Sequence, residues 1–231
     1  MIKNRGRHLV LIACVSCIGC GLIALPSSAA AKTKQAGFNQ CVNAALAIPD
    51  GPAPGSMALN PAASFPIFVN VPKFKGRPQN GAVTAFNSAG VRISHSDDGD
   101  LALFLVSPGG RAVALATFRD QSTNKDPDTG DSSPSGDGYG SGAGSCSGSL
   151  VQFGDPFRIP IATPGNTGLD APITGSFKPE QPLSTFVGGP ARGFWTLIAQ
   201  DVQAHDIGQI NAVSLSFTYS YKVKKKRKKR R

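Results

Sequence analysis

Val213-Ser-Leu-Ser-Phe-Thr-Tyr-Ser220 is the stretch that decides the fold. Val213, Leu215, Phe217 and Tyr219 alternate with Ser214, Ser216, Thr218 and Ser220. Side chains on an extended chain point to opposite faces in turn, so this period of two predicts a strand with one dry and one wet face. Upstream, Leu101-Ala-Leu-Phe-Leu-Val106 is an unbroken apolar run stopped by Ser107-Pro108-Gly109-Gly110. Ala112 to Phe118 follows that turn, and the two runs read as a hairpin. Val91–Ser94, Ile67–Val71 and Trp195–Ala199 are further strand candidates; Val83–Phe86, Leu150–Phe153, Phe157–Ile161 and Leu183–Phe186 carry weaker signals. Only Asn39–Leu46 has any helical flavour. About nine short strands in this length predict an all-β fold, a β-sandwich or jelly roll.

Composition agrees. Of 231 residues, 40% are hydrophobic, enough for a core, which excludes wholesale disorder. Only 16% are charged, and 27 Gly and 18 Pro disfavour helical bundles and coiled coils. Of the 14 acids all but Glu180 are Asp, a poor helix former and a good turn former.

The net charge of +10 belongs to the two ends. Lys3, Arg5 and Arg7 sit before residue 31, and nine basic residues fill 222–231. Between them the 14 acids outweigh the bases, so a basic nucleic-acid face spread over the body is excluded, and no specific nucleic-acid partner is expected. The first basic group precedes an uncharged apolar stretch, Leu9–Leu25, and then Pro26-Ser-Ser-Ala-Ala-Ala31. That is the layout of a secretory signal peptide over 1–31, which predicts an exported, extracytoplasmic protein. Two competing readings are a retained anchor, for which the stretch is short, and lipidation at Cys14, for which the preceding apolar run is short.

Cleavage near Ala31 removes Cys14, Cys17 and Cys20 and leaves Cys41 and Cys146. Two cysteines in an exported chain predict a disulfide; unpaired thiols or an intermolecular bond are the other outcomes. The mature body is expected over 32–221, interrupted at 120–149 by a segment made almost wholly of Asp, Ser, Gly, Pro, Thr and Asn. Such a segment buries too little apolar surface to offset its ordering cost and predicts a mobile surface loop. Its aspartates do not fall in the EF-hand register.

Three stretches resemble, in order, the P domain (Homo B domain) of the proprotein convertases such as furin and kexin. The first is Ile48-Pro49-Asp50. The second is Val91-Arg-Ile-Ser-His95-Ser-Asp-Asp-Gly99-Asp100-Leu101, running on to Ser107-Pro108-Gly109-Gly110. The third is Pro182-Leu-Ser-Thr-Phe186-Val-Gly188, then Gly193-Phe-Trp195-Thr-Leu197, Asp201, Asp206-Ile-Gly208 and the final alternating strand. They span about 48–219. The resemblance implies a jelly-roll-like β-sandwich of galactose-binding-like architecture. Phe186 and Trp195 would be core anchors, and Gly99, Gly188, Gly193 and Gly208 turn residues. Two departures stand out: the long 120–149 insertion, and Asn211-Ala212-Val213 where the family carries a Trp.

In that family the P domain follows a subtilisin-like protease domain. This chain has no motif for a catalytic Asp, His and Ser, and His95 and His205 are read as structural or solvated. No catalytic residue is therefore assigned. Asp97, Asp98 and Asp100 crowd one turn, and Asp201 and Asp206 flank another. If both turns lie at one end of the sandwich, these five carboxylates are the candidate ligands for calcium, the one cofactor considered. The favoured alternative is that they cap backbone N–H groups. Lys222, Lys224, Lys225, Lys226, Arg227, Lys228, Lys229, Arg230 and Arg231 form a tail, read as disordered, that would attract anionic wall polymers or lipid head groups.

The expected function is a secreted, non-catalytic module that binds or stabilises a partner, a subtilisin-like protease or another extracellular protein. The alternative is a structural or adhesion protein held to the cell surface by its tail. An unrecognised hydrolase is a third.

Overall fold

A strand with one dry face is stable only when that face is covered, and two such sheets can cover each other. The computed structural model takes this form and describes residues 32–51, 62–70, 81–96, 101–117, 138–141, 146–161, 173–202, 204 and 207–223. Its strands are β1 (Lys32–Ile48), β2 (Ala62–Val69), β3 (Ala82–His95), β4 (Leu101–Val106), β5 (Ala112–Ala116), β6 (Val151–Phe153), β7 (Ser176–Phe177), β8 (Gly193–Asp201) and β9 (Gly208–Val223). One sheet has the order β1-β9-β3-β6-β7 and the other β2-β8-β4-β5. Only β6 and β7 pair in parallel; the remaining strand pairs are antiparallel. The fold is an all-β sandwich.

The deciding strand behaves as its alternation requires. Val213, Leu215, Phe217 and Tyr219 are buried, and the intervening Ser214, Ser216, Thr218 and Ser220 are half-buried. β9 is an interior strand of its sheet, between β1 and β3. Burial and the neighbouring Tyr221 push the Tyr219 phenol above its ordinary pKa.

Four local readings change. Asn39–Leu46 lies within β1, paired antiparallel with β9, because tertiary pairing overrides a weak local propensity. Val83–Phe86 and Val91–Ser94 are one strand, β3; register shifts after Val83, Phe86 and Arg92 interrupt its alternation, and the sequence therefore looks like two pieces. Leu183–Phe186 is a 3-10 helix, with Leu183 and Phe186 both buried. The Asp155 carboxylate accepts the N–H groups of Leu183 and Ser184 at 2.6 and 2.8 Å, which fixes that turn. Phe157–Ile161 forms no strand, since Pro156 and Pro160 cannot donate to a ladder; it makes a single bridge, Pro160 to Lys178.

The 120–149 segment is not wholly a surface loop. Gly138–Ser141 joins the sheet edge beside β3: Ile93 and Tyr139 exchange backbone hydrogen bonds at 2.9 and 2.8 Å, and the Tyr139 side chain is fully buried. Residues 120–137 and 142–145 lie outside the described residues, as does the expected signal peptide over 1–31. At the other end, β9 runs on through Lys222 and Val223, so the strand extends two residues into the expected tail.

The core is organised by aromatic rings. Trp195 packs against Phe186, Phe86 and Phe217 with centroids 5.0, 5.3 and 5.3 Å apart. Its indole N–H donates to the Ala191 carbonyl at 3.1 Å. Two residues before Trp195, Gly193 has φ +129°, and a methyl there would lie 2.8 Å from Pro108 of the β4–β5 turn. Gly193→Ala is expected to cost about 1–3 kcal/mol, from backbone strain and that collision, measured by urea unfolding.

Cys41 and Cys146 form the expected disulfide. It joins residues 105 apart in sequence, holding the hairpin bounded by Ser141 and Ser149 to β1. Replacing both cysteines by serine is expected to lower stability by about 2–4 kcal/mol, chiefly through the freed unfolded chain, read as a shift in the denaturation midpoint.

Candidate functional site

At one end of the sandwich the last residue of β3 lies beside the first of β9, and the first of β4 beside the last of β8. Leu101 stands opposite Asp201, and Gly208 opposite His95. The Ser96 N–H donates to the Ile207 carbonyl at 3.1 Å, and the Ile207 N–H returns to Ser96 Oγ at 3.0 Å. Ser96 and Ile207, described residues on either side of the candidate calcium ligands, are therefore neighbours. Asp97, Asp98, Asp100, Asp206 and His205 lie outside the described residues. Among the described residues, no group of three or more His, Cys, Asp or Glu is placed to hold a metal.

Asp201 is fully buried at the end of β8, and its Oδ2 lies 3.3 Å from His95 Nε2. The side chains of both are excluded from solvent, at 0% and 1% exposure. The pair links the two sheets, since β3 and β8 belong to different layers. A methyl at Gly208 would occupy the space of the His95 ring, so the Gly of the Asp-x-Gly stretch is the floor on which the imidazole lies. A His–Asp pair is part of the machinery of many hydrolases, but it acts there on a nucleophile that substrate can reach. Here the imidazole is enclosed by protein. The sequence reading took His95 as structural and Asp201 as a turn carboxylate; that they meet depends on pairing between residues 106 positions apart, which no local pattern records.

The outer face of the β2-β8-β4-β5 sheet is a second candidate, and the sequence reading missed it. Along β8 the buried Trp195, Leu197, Ala199 and Asp201 alternate with outward Phe194, Thr196, Ile198 and Gln200. Phe194 is 60% exposed and packs at 5.0 Å, tilted by 55°, against Phe68 of β2, itself 48% exposed. Ser64 and Pro66 continue the face along β2, and Phe104 and Val106 along β4. No charged residue stands among the outward positions of β2, β8 and β4. The available signal was the apolar character of both alternate sets in 194–198.

Of the basic tail, Lys222 is exposed and pairs with Thr33 across β1 and β9; Lys224 to Arg231 lie outside the described residues.

No family model matches the chain, and no curated protein matches it. Solved structures that align with it include the serine protease of Aeromonas sobria, at a TM-score of 0.41 and 14% identity. The complex of the Aeromonas sobria serine protease with its chaperone aligns at 0.40 and 14%. In both, 81% of this chain is covered and 27% of the other, so the chain spans about a quarter of the length of the proteins it is similar to.

Proposed function

We propose that this protein is an exported, non-catalytic binding module of the P-domain type that docks on and stabilises a partner protein, a secreted subtilisin-like protease being the partner of first choice. The observation that carries the reading is the uncharged outer face around Phe68 and Phe194. Exposed aromatic pairs on a sheet without charges are uncommon on proteins that act alone, and buried aromatics dominate the energetics of interfaces. The resemblance motifs also assemble in space. The Ser-Pro-x-Gly turn touches the Gly of Gly-x-Trp-x-Leu, and the His of the second stretch meets the Asp of the third. Residues that the resemblance marks thus act as the joints of the sandwich, and the enclosed His–Asp pair supports a non-catalytic role.

The test is capture of peptidase activity from culture supernatant of the source organism by the immobilised protein. Wild type is expected to retain the activity at low and high salt alike, because the described outward positions of β2, β8 and β4 carry no charge, and to lengthen its thermal half-life. Phe194→Ser is expected to weaken capture about thirtyfold. Its own stability should shift by no more than about 0.5 kcal/mol, because the ring is exposed. No retention by wild type refutes the function; retention unchanged in Phe194→Ser refutes the face.

A further inference from the structure

Arg92 stands on the outward side of β3, opposite Ala212 of β9, and is nevertheless only 6% exposed. The cover is the disulfide-held strap. Ser149 pairs with Ser141 next to β3, whereas Cys146 is bonded to Cys41 on β1, two strands away. Its N–H donates to Asn43 Oδ1 at 2.8 Å. Residues 146–149 therefore cross the outer faces of β9 and β3. Gly140 closes the other side, with its Cβ position 3.5 Å from Arg92 Cγ.

Beneath this strap, Arg92 Nε and Nη1 are buried and have no hydrogen-bond partner among the described residues. Cys146-Ser-Gly-Ser149 contains no acid, and the neighbouring polar side chains Ser94 and Asn211 are neutral and bonded to each other at 2.7 Å. Among the described residues, Asp155 and Glu180 are engaged elsewhere, on Leu183 and Ser184 and on Thr117, and Asp201 faces His95. A lysine in such a place could shed its proton; a guanidinium cannot. A buried cation without a counter-charge is strongly destabilising, and an arginine kept here calls for an anion.

We propose that Arg92 and the strap form a binding site for one small oxyanion of the phosphate, sulfate or carboxylate class. Neutral hydroxyl and amide groups around the guanidinium allow approach without repulsion. The site is separate from the aromatic face and does not depend on a partner.

The experiment is thermal unfolding of the full chain titrated with phosphate, sulfate or acetate, each against sodium chloride at equal ionic strength, for wild type and Arg92→Gln. Because both carry the basic tail, attraction to the tail cancels in the difference. Wild type should show a saturable rise of about 5 °C with at least one oxyanion, absent from Arg92→Gln. If the variant fails to fold, the Nε–H resonances of wild type decide: one, protected from solvent exchange, should move saturably with the same anion. Equal responses in both proteins, or a protected Nε–H indifferent to all three anions, overturn the proposal.

Discussion

His95→Ala is expected to lower the unfolding free energy by about 3–5 kcal/mol, because it leaves the buried Asp201 carboxylate without its partner. The imidazole and the carboxylate lie 3.3 Å apart and are shielded from water. Removing either takes from the other a buried partner that lies 3.3 Å away. Asp201→Asn should cost less than His95→Ala, since the amide keeps the volume and a hydrogen-bonding oxygen. The double variant, His95→Ala with Asp201→Ala, should fall short of the sum of the singles, because residues in contact are not additive. Urea denaturation of wild type, His95→Ala, Asp201→Ala, Asp201→Asn and the double variant supplies the test. A loss under about 1 kcal/mol for His95→Ala, with additive doubles, would mean that the pair does not couple the sheets.

Trp195→Ala is expected to cost about 3–5 kcal/mol through the cavity left among Phe86, Phe186 and Phe217. The ring is fully buried, and residues from β3, the 3-10 helix and β9 close on it. Trp195→Phe separates two contributions. It keeps much of the aromatic contact but leaves the Ala191 carbonyl without its donor, at about 1–3 kcal/mol. Since Trp195 is the sole tryptophan, its fluorescence reports unfolding of wild type, and circular dichroism serves for the variants. A Trp195→Ala protein as stable as Trp195→Phe would show that the aromatic cluster is not the keystone of the core.

The parts of this fold legible from sequence are those whose signal is local. Leu101–Val106 ends where its Ser-Pro-Gly-Gly turn begins, and β4 has those bounds. Two signals misled because a longer-range contact outweighed them. In Leu183–Phe186 the apolar residues are as compatible with a strand as with a tight helical turn, and the Asp155 carboxylate, 28 residues earlier in the chain, settles the turn. In 138–141, Gly and Ser hide the one residue that matters, Tyr139, whose burial depends on β3 lying alongside.

The candidate sites divide in the same way. The disulfide followed from the two cysteines, Cys41 and Cys146, that lie beyond the expected signal peptide, an argument of composition. The aromatic face did not follow, because an apolar run looks the same whether the second face is covered or open. Nor did the strap over Arg92: its closure depends on where Cys146 is carried relative to β3.

By itself the sequence determined that this protein is built of strands, where the best of them begin and end, and that its positive charge lies at its ends. These rest on alternation, turn chemistry and counting, which act between near neighbours. The tertiary structure alone decided that His95 meets Asp201, that Phe68 meets Phe194 in the open, and that Arg92 is roofed by neutral chain. Each depends on which strands lie side by side, a choice made by the burial of the whole core and by no residue's neighbours in the chain.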